Sequence, residues 1–345
     1  MGPSAAVSAI DPASANRRAT GALVSIVIPC YKQARFLADA IESALAQTYR
    51  TIEIVVVNDG SPDETAAVAA RYPPVRYIEQ DNAGLAAARN TGLANSCGEF
   101  VVFLDADDRL LRDAVQTNVD RLTADEAVAF VAGLSYYIAS DGSPLPTDQP
   151  RLPEGDLHAV LLARNRISTP ACVMFRRSAL DAIGGFDTRV DACADYEMYL
   201  RVSRAFPVAF HGQMVAEYRR HGDNMSLDAP RMLRDLCAIM RRQRRLLRGD
   251  EARLDAWRQG RRNIGEYYVD HVANRIRERV RERMEWGSVV ADTLTLLVHH
   301  PRGLFAHVFR KTVTSVQKIY PPQEMDVQID RAPALLVGGR SALNR

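Results

Sequence analysis

Three aspartates close an apolar run in the segment EFVVFLDADDRL, residues 99–110: Asp105, Asp107 and Asp108. Asp105 and Asp107 are one residue apart, so at a strand end their carboxylates lie on the same side of the chain. Two buried like charges need a counter-charge, which a divalent cation can supply. Mg²⁺ or Mn²⁺ accepts carboxylate ligands and also binds substrate phosphates.

The alternative for these aspartates is a solvated loop in which aspartate caps the next helix. Asp108 is predicted to be such a cap or a supporting residue rather than a direct ligand.

Two further loops place polar groups directly after apolar runs. In VVVNDGSPDET, residues 55–65, Asp59 can accept a hydrogen bond from the imide of a nucleotide base, and Gly60 allows a close turn. The alternative is an ordinary Asp-Gly turn. In IPCYKQ, residues 28–33, Tyr31 offers a flat surface for a base. The alternative is an aromatic side chain that covers the edge of the sheet.

The elements between Val24 and Leu104 explain how these loops meet. Four apolar strands alternate with helices, which is typical of a parallel sheet covered on both faces. Ligands of such sheets bind beyond the carboxyl ends of the strands, where the three loops lie. The pattern also predicts that Pro29 stops the first strand and that Ser61 caps a helix with Pro62 at its first position. The sequence therefore predicts an α/β fold with one acidic pocket.

Charge divides the chain into two parts. Residues 1–230 hold 21 Lys and Arg against 29 Asp and Glu, a net charge of −8, and residues 231–345 hold 23 against 13, a net charge of +10. Five widely spaced cysteines with no C-x-x-C pair argue against a zinc site and a disulfide framework, and they favour a reducing compartment. We expect a disordered leader over residues 1–20, an α/β domain over residues 21–228 and a basic helical extension over residues 229–345.

The extension has the apolar period of helices. Leu233, Leu236, Ile239 and Met240 share one face. One interpretation is a helical tail packed on the domain with a solvated arginine face. Another is a platform for anionic lipid or a lipid-linked acceptor, with LLVHHPRGLFAHVFRK, residues 296–311, in the membrane surface. Self-association into a homo-oligomer is a third. Nucleic-acid binding is not predicted, because aromatic residues are not interleaved with the arginines.

Four ordered segments are similar to glycosyltransferase family 2. They are VSIVIPCYKQARFLADAIESALAQTY (24–49), IEIVVVNDGSPDET (52–65), QDNAGLAAARNTGLANSCGEFVVFLDADD (80–108) and GGFDTRVDACADYEMYLR (184–201). The resemblance covers about residues 24–226. It implies a GT-A fold, with a Rossmann-like and mostly parallel central sheet flanked by helices, as the catalytic domain. It also implies a reaction that inverts the configuration at the sugar carbon.

The resemblance implies roles for five residues around the nucleotide. Pro29 and Tyr31 match the start of the nucleotide pocket, with Tyr31 near the base, and Asp59 matches the aspartate that reads the base. Arg89, in NAGLAAARNTG, matches the basic residue on the nucleotide side of the pocket. Asp105 matches the first acid of the D-x-D motif, near the ribose and the metal.

The same resemblance implies a metal site. Asp107 matches the second acid of the D-x-D motif and is the predicted direct ligand of Mn²⁺ or Mg²⁺, with Asp105 beside it. His221, in YRRHGDNMS, is a candidate third ligand, and the alternative for it is a surface turn before Gly222.

The resemblance further implies the general base. Asp195, in CADYEMYLR, matches the aspartate that takes the proton of the acceptor hydroxyl, and the alternative for it is a helix N-cap. The acid that commonly precedes the base is replaced here by Ala194. Because that acid usually supports acceptor binding, the departure concerns acceptor geometry more than the base.

The predicted function is therefore metal-dependent transfer of a sugar from a nucleotide-sugar donor, UDP-linked, to a hydroxyl of a glycan or lipid-linked acceptor. The expected role is cell-surface polysaccharide or glycan assembly, in the cytoplasm or peripherally at the inner face of the membrane. One alternative is a catalytically inactive nucleotide-binding scaffold, which Ala194 suggests. The other is a nucleotidyltransferase, which should carry a Gly-rich loop after strand one, and the glycines are missing from PCYKQARF.

Overall fold

The computed structural model describes residues 21–147, 151–190, 192–281 and 286–301. The predicted leader over residues 1–20 lies outside the described residues, and so does the predicted membrane segment from residue 302 onward.

One sheet organises the described part of the chain. Its nine strands are β1 Val24–Cys30, β2 Ile52–Asp59, β3 Arg76–Gln80, β4 Phe100–Phe103, β5 Arg109–Leu110, β6 Phe130–Ile138, β7 Pro144–Leu145, β8 Val173–Arg176 and β9 Val208–Arg219. They lie in the order β3-β2-β1-β4-β8-β6-β9-β5, with β7 paired to β6.

The first half of the sheet is parallel, as predicted. Strands β1 to β4 are joined through helices, so each crossover returns the chain in the same direction, and β1 pairs in parallel with both β2 and β4. Strand β8 then runs antiparallel to both of its neighbours, β4 and β6. The carboxyl ends of β1, β2 and β4 therefore open at the same edge, where the three polar loops follow them.

The described helices cover the sheet and extend beyond it. They are α1 Ala34–Leu45, α2 Thr65–Ala69, α3 Leu85–Ala94, α4 Ala114–Ala124, α5 Leu157–Ala163, α6 Arg177–Ile183, α7 Ala194–Ala205, α8 Ala229–Leu246, α9 Glu251–Arg281 and α10 Trp286–His299. The predicted apolar stripe of the first helix is buried, including Phe36, Leu37 and Ile41.

Pro29 does not end the first strand, so this prediction was wrong. Strand β1 continues to Cys30 and keeps its register with β2. Val27 O accepts a hydrogen bond from Leu104 N at 2.9 Å, which is the last contact on the β4 side. Pro29, two residues on, faces the same side beyond the end of β4, so the missing N–H of proline costs no ladder hydrogen bond there.

Ser61 is not a helix cap, and this prediction was also wrong. The second helix begins four residues later, at Thr65. Asp63 Oδ1 accepts hydrogen bonds from Thr65 N at 3.2 Å and from Ser61 Oγ at 2.6 Å. Ser61 Oγ in turn accepts a hydrogen bond from Lys32 N at 2.7 Å. The serine therefore joins the loops after β1 and β2 instead of starting a helix.

Helices α8 and α9 confirm the predicted helical extension. The stripe of α8 is buried, with Leu233, Ile239 and Met240 at 0% exposure. Helix α9 packs on α8 and on α5. None of the described helices is both long enough and apolar enough to cross a bilayer.

Candidate active site

One cleft collects most of the predicted site residues. It has a volume of about 1700 Å³ and lies at the carboxyl ends of β1, β2 and β4. Seven of the eight predicted residues line it: Pro29, Tyr31, Asp59, Arg89, Asp105, Asp107 and Asp195. The eighth, His221, is not at the cleft surface. Its side chain is 3% exposed and contacts Asp107.

The loop after β1 presents Tyr31 at the cleft. The tyrosine is 42% exposed, and Lys32 Nζ lies 5.0 Å from the centre of its ring. Lys32 has a backbone φ of 57°, in the left-handed region that residues other than glycine rarely adopt. Ala34 N donates to Asp63 Oδ2 at 3.0 Å, so the loops after β1 and β2 hold each other. Tyr31 is therefore an accessible aromatic surface on an anchored loop.

Asp59 holds the turn that leads into helix α3. Oδ1 of its buried carboxylate accepts hydrogen bonds from Gln80 Nε2 at 2.7 Å and from Ala83 N at 2.9 Å. Oδ2 accepts one from Gly84 N at 2.9 Å. Since each carboxylate oxygen can accept two hydrogen bonds, Oδ2 retains one acceptor position. Gly60 has a φ of +65°, and a Cβ there would lie 2.7 Å from Asn82 N, so the predicted close turn requires glycine.

Arg89 joins two acids of the cleft. Its side chain is 2% exposed, and Nη2 donates to Asp105 Oδ1 at 2.6 Å. The positive charge of Arg89 acts on both Asp105 and Asp195. Burial raises the pKa of Asp105, and Arg89 opposes that rise. Arg89 therefore supplies part of the counter-charge that the acids need, and it links the D-x-D segment to the predicted base.

Asp107 contacts His221 and Asn224 at the cleft. His221 Nε2 lies 2.9 Å from Asp107 Oδ2. Asn224 Oδ1 accepts His221 N at 2.6 Å, and Asn224 Nδ2 donates to Arg219 O at 3.1 Å, so the histidine is held in place. Within the described ranges, no three His, Cys, Asp or Glu side chains form a complete ligand cluster. A cation here would take its other ligands from the substrate or from water.

Asp108 and Arg219 support the D-x-D loop from inside. Asp108 is fully buried and accepts hydrogen bonds from Arg219 N, at 2.9 Å, and from the hydroxyl of Thr169. The guanidinium of Arg219 donates to the carbonyl oxygens of Asp107 at 2.8 Å and Ser140 at 2.9 Å, and to Asp39 at 2.6 Å. Asp108 is thus a supporting residue. Arg219 is itself buried, at 1% exposure, among these structural partners.

Asp195 lies in the first turn of helix α7 and lines the cleft. Burial raises the pKa of its carboxyl, and the charge of Arg89 opposes the rise. Cys193 occupies the N-cap position, so Asp195 is not the cap. Ala194 is 1% exposed and belongs to the core. The position at which the family commonly has an acid therefore faces the core, while Asp195 faces the cleft.

The fold and the cleft define an α/β protein with an acidic ligand site at its parallel strand ends. Residues 25–184 match the model of glycosyl transferase family 2. This match confirms the resemblance seen in the sequence.

Solved structures share the fold of this chain. TarS of S. aureus, residues 1–349 with UDP-GlcNAc, matches with a TM-score of 0.61 at 16% identity, over 86% of this chain and 91% of that one. A mannosyltransferase of Pyrobaculum calidifontis, with GDP-Man and Mn²⁺, matches with a TM-score of 0.56 at 18% identity, over 87% and 88%. These matches show the GT-A fold and confirm the predicted fold class.

A chondroitin synthase of Escherichia coli is 30% identical over 213 residues, which are 59% of this chain and 30% of the synthase. This chain spans about a third of the length of the first curated relatives that it matches.

Proposed function

We propose that the chain is an inverting glycosyltransferase that moves a sugar from a nucleotide-sugar donor to an acceptor hydroxyl, with residues 21–228 as its catalytic domain. The observation that carries the proposal is the cleft that Asp59, Asp107 and Asp195 all line. A base-reading acid, a metal-binding acid and a proton acceptor are the three functions that such a reaction needs.

Asp195 takes the proton of the acceptor hydroxyl as the oxygen attacks the anomeric carbon from the face opposite the leaving group. The bond from the sugar to the nucleoside diphosphate breaks, and the configuration at the carbon inverts. The sugar carbon carries partial positive charge in the transition state. The raised pKa of Asp195 makes it a better proton acceptor than a solvated aspartate.

The negative leaving group determines the remaining roles. Asp107 carries a carboxylate, the ligand type that Mg²⁺ and Mn²⁺ prefer, and His221 adds an imidazole nitrogen 2.9 Å away. Asp107 and His221 would hold the cation together with substrate or water ligands, and the bound cation would offset the charge on the departing diphosphate. Arg89 keeps the Asp105 carboxylate oriented by its hydrogen bond of 2.6 Å.

We propose UDP as the nucleotide of the donor. Tyr31 presents an exposed ring, and Asp59 keeps one acceptor position on Oδ2 for an imide N–H such as that of uracil. Related structures carry UDP-GlcNAc in one case and GDP-Man in another. The acceptor class we propose is a glycan, in cell-surface polysaccharide assembly, because a similar chain is named a chondroitin synthase.

The test is hydrolysis of a panel of nucleotide sugars with Mn²⁺ or Mg²⁺, followed by acceptor screening with the preferred donor. We expect metal-dependent release of UDP from one UDP-sugar, and transfer to a glycan acceptor. Nucleotide binding with no turnover of any donor would instead support the inactive scaffold. Formation of a nucleotide sugar from a sugar phosphate and a nucleoside triphosphate would support a nucleotidyltransferase.

Peripheral membrane contact is proposed for helix α10. Trp286, Val290, Leu294 and Val298 follow each other at intervals of four, and their exposures range from 54% to 67%. An apolar stripe in a region of net positive charge fits an anionic lipid surface.

We expect the protein to sediment with vesicles that contain phosphatidylglycerol more than with pure phosphatidylcholine vesicles. Leu294→Asp should weaken this binding by roughly tenfold, since one aspartate in a membrane face costs more than ~1 kcal/mol. Gln116→Asp, an equal charge change on the distant helix α4, is the control. Equal binding of the Leu294 variant and the wild type would contradict the proposal.

A further inference from the structure

The cleft has a second wall that does not belong to the region matched by the family model. Helices α8 and α9 follow residue 184, where the match ends. Met232 of α8 and Ile264, Glu266, Tyr267 and Tyr268 of α9 line the same cleft as Asp195. The wall therefore joins apolar and aromatic surface to a few polar groups, which is the usual character of a site for an organic ligand.

Helix α9 is fixed to the α/β part of the chain close to this wall. At Gly260 the helix approaches so closely that a Cβ would lie 2.0 Å from Leu162 O. Asn263 Nδ2 donates to Ala163 O at 2.9 Å. Trp257 Nε1 donates to Met240 O of α8 at 2.7 Å, which also fixes α9 to its neighbouring helix. The residues that come one and two turns later are thus presented at a defined place, as a preorganised site requires.

Two neighbouring tyrosines form the aromatic part of the wall. The ring of Tyr267 is 4.8 Å from that of Tyr268, at an angle of 78°, and 4.2 Å from the ring of His271. Tyr267 is nevertheless 57% exposed, while Tyr268 is half-buried. An exposed ring held by its neighbours offers a rigid apolar face at low entropic cost, and its hydroxyl remains available for hydrogen bonding.

Tyr268 lies within electrostatic reach of the predicted base. Burial raises the pKa of the Tyr268 hydroxyl above its usual range, and the negative charge of Asp195 contributes to the rise. Tyr268 and Asp195 also line the same cleft, so a molecule that contacts the tyrosines shares that cleft with the proposed base. The donor-side residues lie elsewhere, since Tyr31 follows β1 and Asp59 is the last residue of β2.

We propose that this wall is the acceptor subsite, and that Tyr267 and Tyr268 bind a sugar unit of a glycan acceptor. The assignment rests on the proposed function. A pyranose ring has an apolar face of C–H groups, which fits the exposed ring of Tyr267. It also has hydroxyls at its edge, and these can donate hydrogen bonds to the carboxylate of Glu266. The lipid chain of a lipid-linked acceptor is the competing occupant.

The experiment measures binding of soluble oligosaccharides of two to six hexose units by saturation-transfer NMR, with wild type, Tyr267→Ala and Tyr267→Phe. We expect Tyr267→Ala to weaken oligosaccharide binding by about tenfold, as for the loss of one aromatic contact. Tyr267→Phe should retain most of it. Tyr136→Ala, which removes a tyrosine of 43% exposure outside the cleft lining, is the matched control.

Donor hydrolysis in water, with no acceptor added, separates this inference from the proposed function. Tyr267→Ala should leave the KM for the donor and the hydrolysis rate unchanged, while the KM for the oligosaccharide in transfer rises. Wild type that binds none of the oligosaccharides, or a Tyr267→Ala variant that binds them as wild type does, would overturn the inference. The inference would also be overturned if Tyr267→Ala weakened the binding of a polyprenyl phosphate but not the binding of an oligosaccharide. Absence of donor hydrolysis in wild type would count against the proposed function alone.

Discussion

Replacing Asp195 with asparagine is expected to slow sugar transfer by roughly 10²- to 10⁴-fold, the usual range for the loss of a positioned general base. The asparagine amide has the same shape as the carboxylate but cannot take a proton from the acceptor hydroxyl. Because Tyr31 and Asp59 lie on other loops of the cleft, UDP should bind to the variant as it binds to wild type. Transfer kinetics and UDP titration calorimetry measure the two effects separately.

The fold of this variant should change little. Asp195 lies in the first turn of α7, where a carboxylate stabilises a helix by about 0.5 kcal/mol. Glu197→Gln is the matched control on the same turn. Glu197 is buried and contacts Arg201 at 2.8 Å, so this control should lower the melting temperature further and yet retain more transfer activity. An Asp195→Asn variant that loses UDP binding together with transfer would indicate a structural role instead.

The pH dependence gives an independent check on the same residue. Burial raises the pKa of Asp195, so the carboxyl becomes protonated at a higher pH than a solvated aspartate does. A protonated carboxyl cannot act as a base, and wild-type transfer should therefore fall as the pH drops through this raised pKa. Donor binding measured over the same pH range shows whether the loss of activity arises in the transfer step or from weaker donor binding.

The sequence was sufficient to predict the ligand edge of the sheet. Asp59 and Asp105 follow buried strands, and parallel strands end at the same edge, so periodicity alone placed them together. The local predictions at Pro29 and Ser61 failed for a tertiary reason. Pro29 faces a side where the neighbouring strand has already ended, and Ser61 is used by Lys32 N from another loop. Neither partner is visible in the local sequence.

Long-range partners also account for what was missed at the site. Arg219 supports the D-x-D loop from 112 residues away, through its hydrogen bond to Asp107 O. Arg219 lies two residues before His221, and nothing in the local sequence indicates that its partner is residue 107. The helical period of α9 was predictable from the sequence. Its position on the cleft depends on close packing at Gly260, and a hydrophobic period does not predict such packing.

Replacing Asp107 with asparagine is expected to remove metal-stimulated donor turnover, with a loss of roughly 100-fold or more, since a cation on a leaving group contributes several kcal/mol. The change takes away one negative charge, and the neutral amide is a weaker ligand for Mn²⁺ or Mg²⁺. The loop itself should persist. Arg219 holds it through the carbonyl of residue 107, at 2.8 Å, and through the carboxylate of Asp108, and neither contact uses the Asp107 side chain.

Calorimetric titration of Mn²⁺ in the presence of UDP, together with donor hydrolysis over a range of Mn²⁺ concentrations, measures this loss. UDP alone should still bind, because the base contacts proposed for Tyr31 and Asp59 do not involve the cation. Asp120→Asn removes an equal charge from the exposed face of α4, and it should behave as wild type. If the Asp107 variant kept its metal stimulation, the carboxylate would not be a ligand.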